Sequence, residues 1–381
     1  MTRPVVVLGA TGSIGSQTLE VADSLGFEVA GLAARHPSPE LKELAVRYPA
    51  ARIAVAGGSQ EERAVFEREL GRSVSYDTGS IIEMARTPGS IVVNGIVGAA
   101  GLRATVAALE AGNRVALANK ESLVAGGPVV KAALIRHGGE LIPVDSEHSA
   151  LMQCLVGETP VSVARLLLTA SGGPFRGRDR ESLAEVTPEE ALRHPTWEMG
   201  PRITIDSATL FNKGLEVIEA HHLFDIPFEA IEVVVHPQSI LHSAVEFVDG
   251  SWKGHFGRPD MRIPIQYALT APERAPTPVP RFSFTDLGLT FEEPDRATFP
   301  AIDIAFAAGI QGGSSPAVLN AADEVAVEAF LQRRLGFLGI AEVVARTLET
   351  VPWREVPDVE TVLAADAEAR ATAASLIAGA C

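Results

Sequence analysis

The sequence predicts an α/β protein with an N-terminal Rossmann-like domain, a central α+β domain and a C-terminal helical domain. Three observations support this division. Strands and helices alternate over the first 150 residues, helices become sparse after that point, and helical periodicity returns behind a proline-rich stretch. The predicted boundaries are 1–149, 150–270 with a flap near 193–201, a linker at 271–300, and 301–381.

The first domain alternates short apolar runs with amphipathic stretches, which is typical of a parallel, doubly wound sheet. The predicted strands are Val5–Leu8, Phe27–Leu32, Ile53–Ala56, Ile91–Asn94, Arg114–Leu117 and Glu140–Pro143. The predicted helices are Gly15–Leu25, Leu41–Tyr48, Glu61–Leu70, Leu102–Ala111 and Val129–Arg136. Such sheets bind ligands at the carboxyl ends of their strands, so the residues that follow each strand are candidates for function.

The rest of the chain has a different distribution of predicted strands and helices. The predicted strands of the central domain are Val163–Leu168, Ile203–Ile205, Ile231–Val235 and Ala244–Phe247. Six prolines between residues 271 and 300 favour an extended connector over a packed element. Beyond it, Ser315-Pro316 is a typical helix start, and apolar residues at helical spacing predict further helices at 340–348 and 359–376.

Composition and charge narrow the function classes. The 381 residues include 48 acidic and 32 basic side chains, a net charge of −16, which argues against a general nucleic-acid binder or an anionic-membrane binder. Cys154 and Cys381 form no disulfide framework, which suits a reducing cytosol. Neither a signal peptide nor an apolar run long enough to span a bilayer is visible, so a cytoplasmic location is expected.

A glycine-rich turn follows the first predicted strand. Gly9-Ala-Thr-Gly-Ser-Ile-Gly15 opens the first predicted helix, where free backbone N–H groups and the positive end of the helix dipole favour a pyrophosphate. A ligand-free turn is the alternative. The second strand ends in Ala34-Arg35-His36, and basic residues there favour the 2′-phosphate of NADP over the 2′-hydroxyl of NAD.

Two acids bracket a serine at the end of the sixth predicted strand. Asp145 and Glu147 lie one residue apart across Ser146, and their repulsion is relieved by a hard divalent cation with oxygen ligands. Glu216 is a candidate third ligand. For an isolated Asp-x-Glu, a solvated surface turn is the more common explanation.

Polar residues at other strand ends form a possible phosphate-binding set. Lys120 follows one strand, and hydroxyls, an amide and a second cation follow later strands. These residues are Ser171, Ser207, Asn212 and Lys213, with His194 and Trp197 on a proline-bounded segment. Each of them, taken alone, is more often structural. A zinc site at Glu219, His221 and His222 is disfavoured, because the spacing lacks a helical His-x-x-x-His pattern.

Two common reductase classes lack their signatures. No tyrosine has a lysine four residues later, as a short-chain dehydrogenase requires, and Cys154 has no nucleophile signature around it. Two alternatives stay open from the residues alone. One is a different NADP-dependent dehydrogenase acting on a semialdehyde or homoserine, and the other is a non-enzymatic NADP-sensing protein.

The motifs taken in order resemble those of the 1-deoxy-D-xylulose 5-phosphate reductoisomerase family over essentially the whole chain. Besides the glycine turn, the resemblance rests on seven segments: Ala118-Asn-Lys-Glu-Ser122, Pro143-Val-Asp-Ser-Glu-His148, Ala170-Ser-Gly-Gly-Pro174, His194-Pro-Thr-Trp-x-Met-Gly200, Asp206-Ser-Ala-Thr-Leu-Phe-Asn-Lys-Gly-Leu-Glu216, His236-Pro-Gln-Ser239 and Pro316-Ala-Val-Leu-Asn320. The resemblance implies NADPH- and metal-dependent conversion of 1-deoxy-D-xylulose 5-phosphate to 2-C-methyl-D-erythritol 4-phosphate by a homodimer.

The resemblance also implies roles for individual residues. The implied Mg2+ or Mn2+ ligands are Asp145, Glu147 and Glu216, which with Lys120 form the implied catalytic set. The implied substrate contacts are Lys120, Ser146, Glu147, Ser171, His194, Trp197, Met199, Ser207, Asn212, Lys213 and Glu216. The implied NADPH contacts are Thr11, Gly12, Ser13, Ile14, Ala34, Arg35, His36, Asn119, Glu121 and Gly200.

The sequence departs from the family pattern at two places. The turn Ala34-Arg35-His36-Pro37 replaces a Gly-basic-Asn arrangement, and Ser251–Phe256 is bulkier than the usual stretch.

Overall fold

A computed structural model describes residues 3–197 and 199–379, with only the backbone at Asp286. Cys381 lies outside the described residues. The chain forms two compact units. The first contains the residues up to Asn119, Val129–Ser149 and Met261–Val279, and the second contains Lys120–Pro128, Ala150–Asp260 and the residues from Pro280 onwards.

The strands and helices are numbered in chain order. The strands are β1 (Val5–Leu8), β2 (Val29–Ala34), β3 (Arg52–Val55), β4 (Ser75–Tyr76), β5 (Ile91–Asn94), β6 (Arg114–Leu117), β7 (Glu140–Pro143), β8 (Val163–Ala170), β9 (Ile231–Val235), β10 (Leu241–Phe247) and β11 (Trp252–Phe256). The helices are α1 (Ser13–Leu25), α2 (Pro39–Arg47), α3 (Gln60–Leu70), α4 (Thr78–Ala85), α5 (Leu102–Glu110), α6 (Glu121–His137), α7 (Ser146–Leu155), α8 (Pro188–Ala191), α9 (Pro201–Thr209), α10 (Phe211–Phe224), α11 (Arg262–Thr270), α12 (Ala301–Gln311), α13 (Ser315–Leu331), α14 (Phe337–Thr350) and α15 (Val359–Ala378).

A seven-stranded sheet forms the centre of the first unit, in the order β4-β3-β2-β1-β5-β6-β7. All of its strand pairs are parallel. The strand order reverses at β1, so the carboxyl ends of β1 and β5 border the crevice where such sheets bind ligands. The predicted doubly wound sheet is therefore confirmed, and four predicted strands have the bounds that the structure gives them: β1, β5, β6 and β7.

The helix α11 belongs to the first unit, although the predicted boundaries assign its residues to the central domain. Its Ile265, Ala268 and Leu269 are buried in one apolar cluster with Val5 of β1 and Leu19 of α1. Arg262 at its start also donates to Glu20 of α1 at 2.7 Å. The chain thus returns to the first unit after the central strands, an event that local sequence does not signal.

The second unit contains a four-stranded sheet in the order β11-β10-β8-β9. β8 and β9 are parallel, whereas β10 runs antiparallel to both β8 and β11. Its buried face contributes Leu166 and Leu168 to an apolar cluster with Phe211 of α10 and Phe330 of α13. The C-terminal helices predicted from periodicity are present, and they pack into the same cluster as the sheet.

One predicted strand is wrong. Ile203–Ile205 lies inside the helix α9, whose first residue is Pro201 and whose N-terminal cap is Gly200. Proline in the first turn is favourable because its missing N–H is not needed there. Three residues with alternating polarity fit a helix turn as well as a strand, and the proline signal decides between the two.

In the described residues, the proline-rich stretch 271–300 contains a short 3-10 turn and a β-bridge between Glu292 and Val235, and its first part, up to Val279, belongs to the first unit. Among the described residues, no helix combines the length and apolar character that crossing a bilayer requires.

The buried position of α11 gives a first prediction. Ile265 is 1% exposed, so Ile265→Ala is expected to lower the free energy of unfolding by about 2–5 kcal/mol through lost burial and a residual cavity. Ile135 of the same unit is 80% exposed, so the control Ile135→Ala should change it by less than about 0.5 kcal/mol. Urea denaturation of the two variants measures both values. Equal effects would show that α11 is not part of this core.

Candidate functional site

The glycine turn after β1 is closed to side chains at two positions. Gly9 has φ +87°, and a Cβ there would lie 2.7 Å from the Gly95 carbonyl oxygen. A Cβ on Gly15 would lie 2.3 Å from the Gly9 oxygen. The turn leads into α1, whose N-terminus has no side-chain cap, and Thr11, Gly12 and Ser13 are exposed beside it. These features suit an anionic ligand at the helix N-terminus.

The turn after β2 presents two basic side chains. Ala34 is buried at the end of the strand, whereas Arg35 and His36 are exposed. Gly57 lies close behind them, since a Cβ there would be 3.1 Å from the Arg35 carbonyl oxygen. The predicted basic end of β2 is thus accessible to a ligand.

Asn119 is buried and bound to the loop that follows β5. Its Nδ2 donates to the carbonyl oxygens of Ile96 at 2.6 Å and Gly98 at 2.9 Å. The side chain therefore shapes the backbone at the carboxyl end of β5, which sequence reasoning alone did not indicate.

The Asp145-Ser146-Glu147 motif joins β7 to α7, as predicted. Asp145 Oδ1 accepts from the Glu147 amide at 3.3 Å, so Asp145 caps the helix, and it also lies 3.3 Å from His148 Nδ1. Ser146 Oγ donates to Glu147 Oε2 at 2.5 Å. The two carboxylates offer oxygen atoms within 4.8 Å of one another. Close oxygen donors of like charge are a suitable environment for a hard divalent cation.

Glu216 of α10 lies in a buried group of charges. Lys120 Nζ donates to its Oε1 at 2.9 Å, Asn212 Nδ2 donates to the same oxygen at 2.5 Å, and Lys213 Nζ pairs with its Oε2. Lys120 also reaches Asn212 Oδ1 at 2.8 Å. The side chains of Lys120, Lys213 and Glu216 are 9%, 4% and 2% exposed. The two lysines are charged donors that an anionic ligand can use beside Glu216.

Ser171 and His194 form a second polar pair in the same unit. Their Oγ and Nε2 atoms lie 3.0 Å apart. His194 Nδ1 accepts from the amides of Thr196 at 3.1 Å and Trp197 at 2.9 Å, so the proton of the neutral ring is on Nε2. Burial lowers the pKa of His194, which favours this neutral form. Nε2–H then donates to Ser171 Oγ, whose own hydrogen can point at a ligand.

Ser207 lies in the helix α9 and is nearly buried. Its carbonyl oxygen lies against Gly173, where a Cβ would be only 2.6 Å away. Gly173 has φ +68°, so this close approach of the loop after β8 to α9 requires glycine. The Ser-Gly-Gly motif therefore brings the chain at Ser171 close to the helix of Ser207.

The predicted flap is irregular in the described residues up to Trp197 and from Met199 to Gly200. The Trp197 ring is half-buried, with its centroid 6.2 Å from that of His242 on β10. Burial lowers the pKa of His242 to about 4, so the flap tryptophan lies next to a neutral ring.

A buried cluster around Arg202 was not predicted. Arg202 NH1 donates to Glu121 at 2.5 Å and to Glu324 at 3.1 Å, and NH2 donates to Asn320 at 2.9 Å. Asp206 and Asp323 lie beside the same guanidinium. Glu121 is also a predicted cofactor contact, and its carboxylate accepts a hydrogen bond from Arg202.

His221 and His222 pack against neighbouring parts of the fold, as structural histidines do. His221 Nδ1 bonds to the Ile226 carbonyl oxygen at 2.8 Å, and its ring stacks on Phe228 at 4.3 Å. His222 fills the space beside Gly127, which a Cβ would enter.

Three family models match the chain. Residues 5–127 match 1-deoxy-D-xylulose 5-phosphate reductoisomerase, residues 141–224 match its C-terminal domain, and residues 256–372 match the DXP reductoisomerase C-terminal domain. The reductoisomerase of Heliobacterium modesticaldum is 52% identical over 377 residues, which is 97% of this chain and 96% of the relative. The chain belongs to the 1-deoxy-D-xylulose 5-phosphate reductoisomerase family.

Other reductoisomerases agree in sequence and in fold. The Thermus thermophilus protein is 50% identical over 369 residues, covering 97% of this chain and 98% of the relative. The solved Zymomonas mobilis reductoisomerase, in complex with NADPH, has a TM-score of 0.91 at 44% identity over 99% of each chain. A solved DOX-P reductoisomerase in complex with NADPH, fosmidomycin and magnesium has a TM-score of 0.91 at 36% identity over 98% of each chain.

The His194 geometry gives a second prediction. Because Nδ1 accepts two amides and burial lowers its pKa, we expect His194 of this reductoisomerase to titrate below the ordinary histidine range and to carry its proton on Nε2 when neutral. Protonation at lower pH should break both amide bonds and loosen the turn. Nitrogen-15 NMR of labelled histidines measures the tautomer and the titration. A proton on Nδ1, or a midpoint above 6.5, would contradict the assignment.

Proposed function

We propose that this reductoisomerase rearranges 1-deoxy-D-xylulose 5-phosphate and reduces the product with NADPH to 2-C-methyl-D-erythritol 4-phosphate, in the non-mevalonate isoprenoid pathway. The observation that carries the proposal is the buried group of Lys120, Lys213 and Glu216, present in a chain about half identical to named reductoisomerases. The solved relatives bind NADPH and magnesium, which are the cofactors proposed for this chain, with Mn2+ as an alternative metal.

NADPH is proposed to bind at the carboxyl ends of β1 and β2. The uncapped start of α1 suits the pyrophosphate, and Arg35 and His36 suit the 2′-phosphate. The glycine turn fits NADPH because no side chain at Gly9 or Gly15 keeps the ligand away from the backbone. The full proposed set is Thr11, Gly12, Ser13, Ile14, Ala34, Arg35, His36, Asn119, Glu121 and Gly200.

The divalent metal is proposed to bind Asp145, Glu147 and Glu216. The pair Asp145 and Glu147 fits the ion, because two carboxylates with oxygens within 4.8 Å of one another supply the ligands that a hard cation prefers. A bound divalent cation supplies Lewis-acid stabilisation of negative charge on a substrate oxygen. Ser146 holds Glu147 in place and is itself a proposed substrate contact.

The substrate phosphate is proposed to bind Ser171, His194, Ser207, Asn212 and Lys213. Lys213 supplies the cation, Ser171 a hydroxyl hydrogen, and His194 orients Ser171 through its Nε2–H. Lys120 holds Glu216 and contributes charge beside the reacting oxygens. Rearrangement of the carbon skeleton gives an aldehyde, 2-C-methylerythrose 4-phosphate, and hydride from NADPH reduces that aldehyde to the alcohol.

The 193–201 segment is proposed to be a flap that covers the substrate with Trp197 and Met199. At one end of the segment, Nδ1 of the His194 ring accepts hydrogen bonds from two backbone amides of the turn. At the other end, the segment leads into the first turn of α9. Phosphate binding at Ser171 therefore acts on the flap backbone through His194, so contacts remote from the reacting carbons are proposed to supply the energy for closure.

Two further features complete the proposal. The enzyme is proposed to be a cytoplasmic homodimer. The edge strand β11 supports self-association, since Trp252 and Phe256 are exposed there as apolar side chains. Sedimentation of the purified protein measures the assembly state.

The activity is tested by NADPH oxidation with 1-deoxy-D-xylulose 5-phosphate, with and without Mg2+. Turnover that needs both the substrate and the metal supports the proposal. Oxidation with aspartate-derived semialdehydes that is independent of metal would point to the alternative dehydrogenase class.

Glu216 gives the third prediction. Glu216→Gln keeps the size of the side chain but removes its charge, so we expect metal-dependent turnover to fall by about 100-fold or more. NADPH affinity, measured by cofactor fluorescence, should stay close to that of the unaltered protein. The matched control is Glu229→Gln, a neutralised exposed acid of the same unit. Full activity in Glu216→Gln would rule out its metal role.

Lys213 gives the fourth prediction. Lys213→Ala removes a buried cation, so the KM for the sugar phosphate should rise by about 10–100-fold, as expected for a lost charged hydrogen bond. The KM for NADPH should change far less. Steady-state kinetics with each substrate varied separately gives both constants, and equal changes in the two would contradict a phosphate role.

A further inference from the structure

Arg202 is the second residue of α9, directly after the proposed flap, and its side chain is only 15% exposed. A buried guanidinium must be paired, because its desolvation costs several kcal/mol. Its partners lie on different parts of the second unit, so the pairing joins elements that are distant in sequence.

One guanidinium connects three elements. NH1 binds Glu121 at the start of α6 at 2.5 Å, and also Glu324 of α13 at 3.1 Å. NH2 binds Asn320 of α13 at 2.9 Å, and Asn320 Nδ2 in turn donates to Glu324 at 3.0 Å. A planar fork of donors makes these contacts at once, whereas the single nitrogen of a lysine cannot.

The partners of Arg202 are chain neighbours of two proposed substrate contacts. Glu121 follows Lys120, whose Nζ holds Glu216 and Asn212. Asp206, which lies 3.5 Å from Arg202 Nε, precedes Ser207. The backbone at both contacts is thus tied to the same cation.

We propose that Arg202 is a positioning residue of the active site, which fixes Lys120 through Glu121 and fixes the helix of Ser207 to α13 through Asn320 and Glu324. The inference rests on the proposed function, because it assigns Lys120 and Ser207 to the substrate. It adds that α13, one of the helices in the C-terminal part of the chain, contributes to the geometry of the reacting site without touching the substrate.

A pair of buried carboxyl groups completes the cluster. Asp206 and Asp323 are both buried, and burial raises the pKa of Asp206 to about 6. Burial and the neighbouring Asp206 raise the pKa of Asp323 well above its usual range. The side chains of Asp206 and Asp323 are hydrogen-bonded to each other, as expected if the two carboxyl groups share one proton.

The surrounding charges explain why a proton is held there. Asp206 faces Arg202, Asp323, Glu121 and Lys120, and Asp323 faces Asp206, Arg202 and Glu324. Glu324 also binds Arg370 of α15 at 2.6 Å, and Arg370 binds Asp366. Acids outnumber the two arginines in this cluster. A proton on Asp323 lowers the repulsion and leaves Arg202 available to Glu121 and Glu324.

The main test compares Arg202→Lys with Arg180→Ala, which breaks the exposed Arg180–Glu342 pair in the same unit. With substrate, NADPH and saturating Mg2+, we expect Arg202→Lys to lose about 10–100-fold in kcat/KM for the sugar phosphate, at temperatures where circular dichroism shows a folded chain. Arg180→Ala should stay within about twofold of the unaltered enzyme. If the kcat/KM of Arg202→Lys is within about twofold of that of the unaltered enzyme, the inference is overturned.

A double-mutant cycle separates positioning from a general loss of stability. Asn320→Ala removes one Arg202 partner and keeps every charge. If the two residues act as one unit, the loss in kcat/KM of the double variant falls short of the product of the single losses by about threefold or more. Losses that multiply would overturn the inference, and Asn320→Ala still provides a test if Arg202→Lys does not fold.

The carboxyl pair of Asp206 and Asp323 predicts a pH-dependent melting temperature, which a simple packing role would not produce. A raised pKa means that the stabilising contribution is full at low pH and is lost as pH rises through the folded value. Asp323→Asn mimics the protonated group, so its melting temperature should exceed that of the unaltered enzyme at pH 8, with a smaller difference at pH 5. A lower melting temperature at pH 8 would show that Asp323 is an ion pair partner of Arg202 and would overturn the shared proton.

Failure of this inference is distinguishable from failure of the proposed function. An unaltered protein that does not oxidise NADPH with the sugar phosphate would refute the function. An active unaltered protein whose Arg202→Lys variant is equally active refutes only the positioning role.

Discussion

The burial of Glu216 between two lysines is the constraint on which the second unit's site depends. Burying a carboxylate costs several kcal/mol unless hydrogen-bond donors replace the solvent, and here two charged donors, Lys120 and Lys213, and the neutral amide of Asn212 do so. Each lysine is buried in turn and depends on Glu216. The spacing along α10 places Asn212, Lys213 and Glu216 on adjoining positions, while Lys120 comes from the start of α6. The group is therefore specified as a whole rather than residue by residue.

Two neighbouring residues, Lys120 and Glu121, belong to two different buried clusters of charged side chains. The cluster of Lys120 pairs two lysines with the buried carboxylate of Glu216. The cluster of Glu121 around Arg202 has acids in excess, which a proton on Asp323 neutralises. In both clusters the charged side chains are buried, so each depends on its partners to offset the cost of desolvation. The polypeptide between the two side chains is thus held from both directions, which limits the freedom of Lys120 more than either contact alone.

Local sequence was sufficient where the physical signal is local. Strand β1 and the glycine turn were predicted because a buried parallel strand is continuously apolar and because a tight turn needs glycine. The placement of Asp145 and Glu147 at the end of β7 was also predicted. Ile203–Ile205 was not, since three residues do not establish a period.

Contacts that join distant segments were outside the reach of sequence reasoning. Arg202 and Glu121 are 81 residues apart, and Arg202 and Asn320 are 118 residues apart. The return of α11 to the first unit has the same cause. The chain passes between the two units at 119–120, 128–129, 149–150, 260–261 and 279–280. During synthesis, the first unit therefore lacks Ile265 and Leu269 until most of the chain has been made. In a fragment that ends at residue 149, the apolar residues that pack against Ile265 and Leu269 would be exposed to water. The N-terminal part of this enzyme thus obtains its complete apolar core only from a segment more than 100 residues further along the chain.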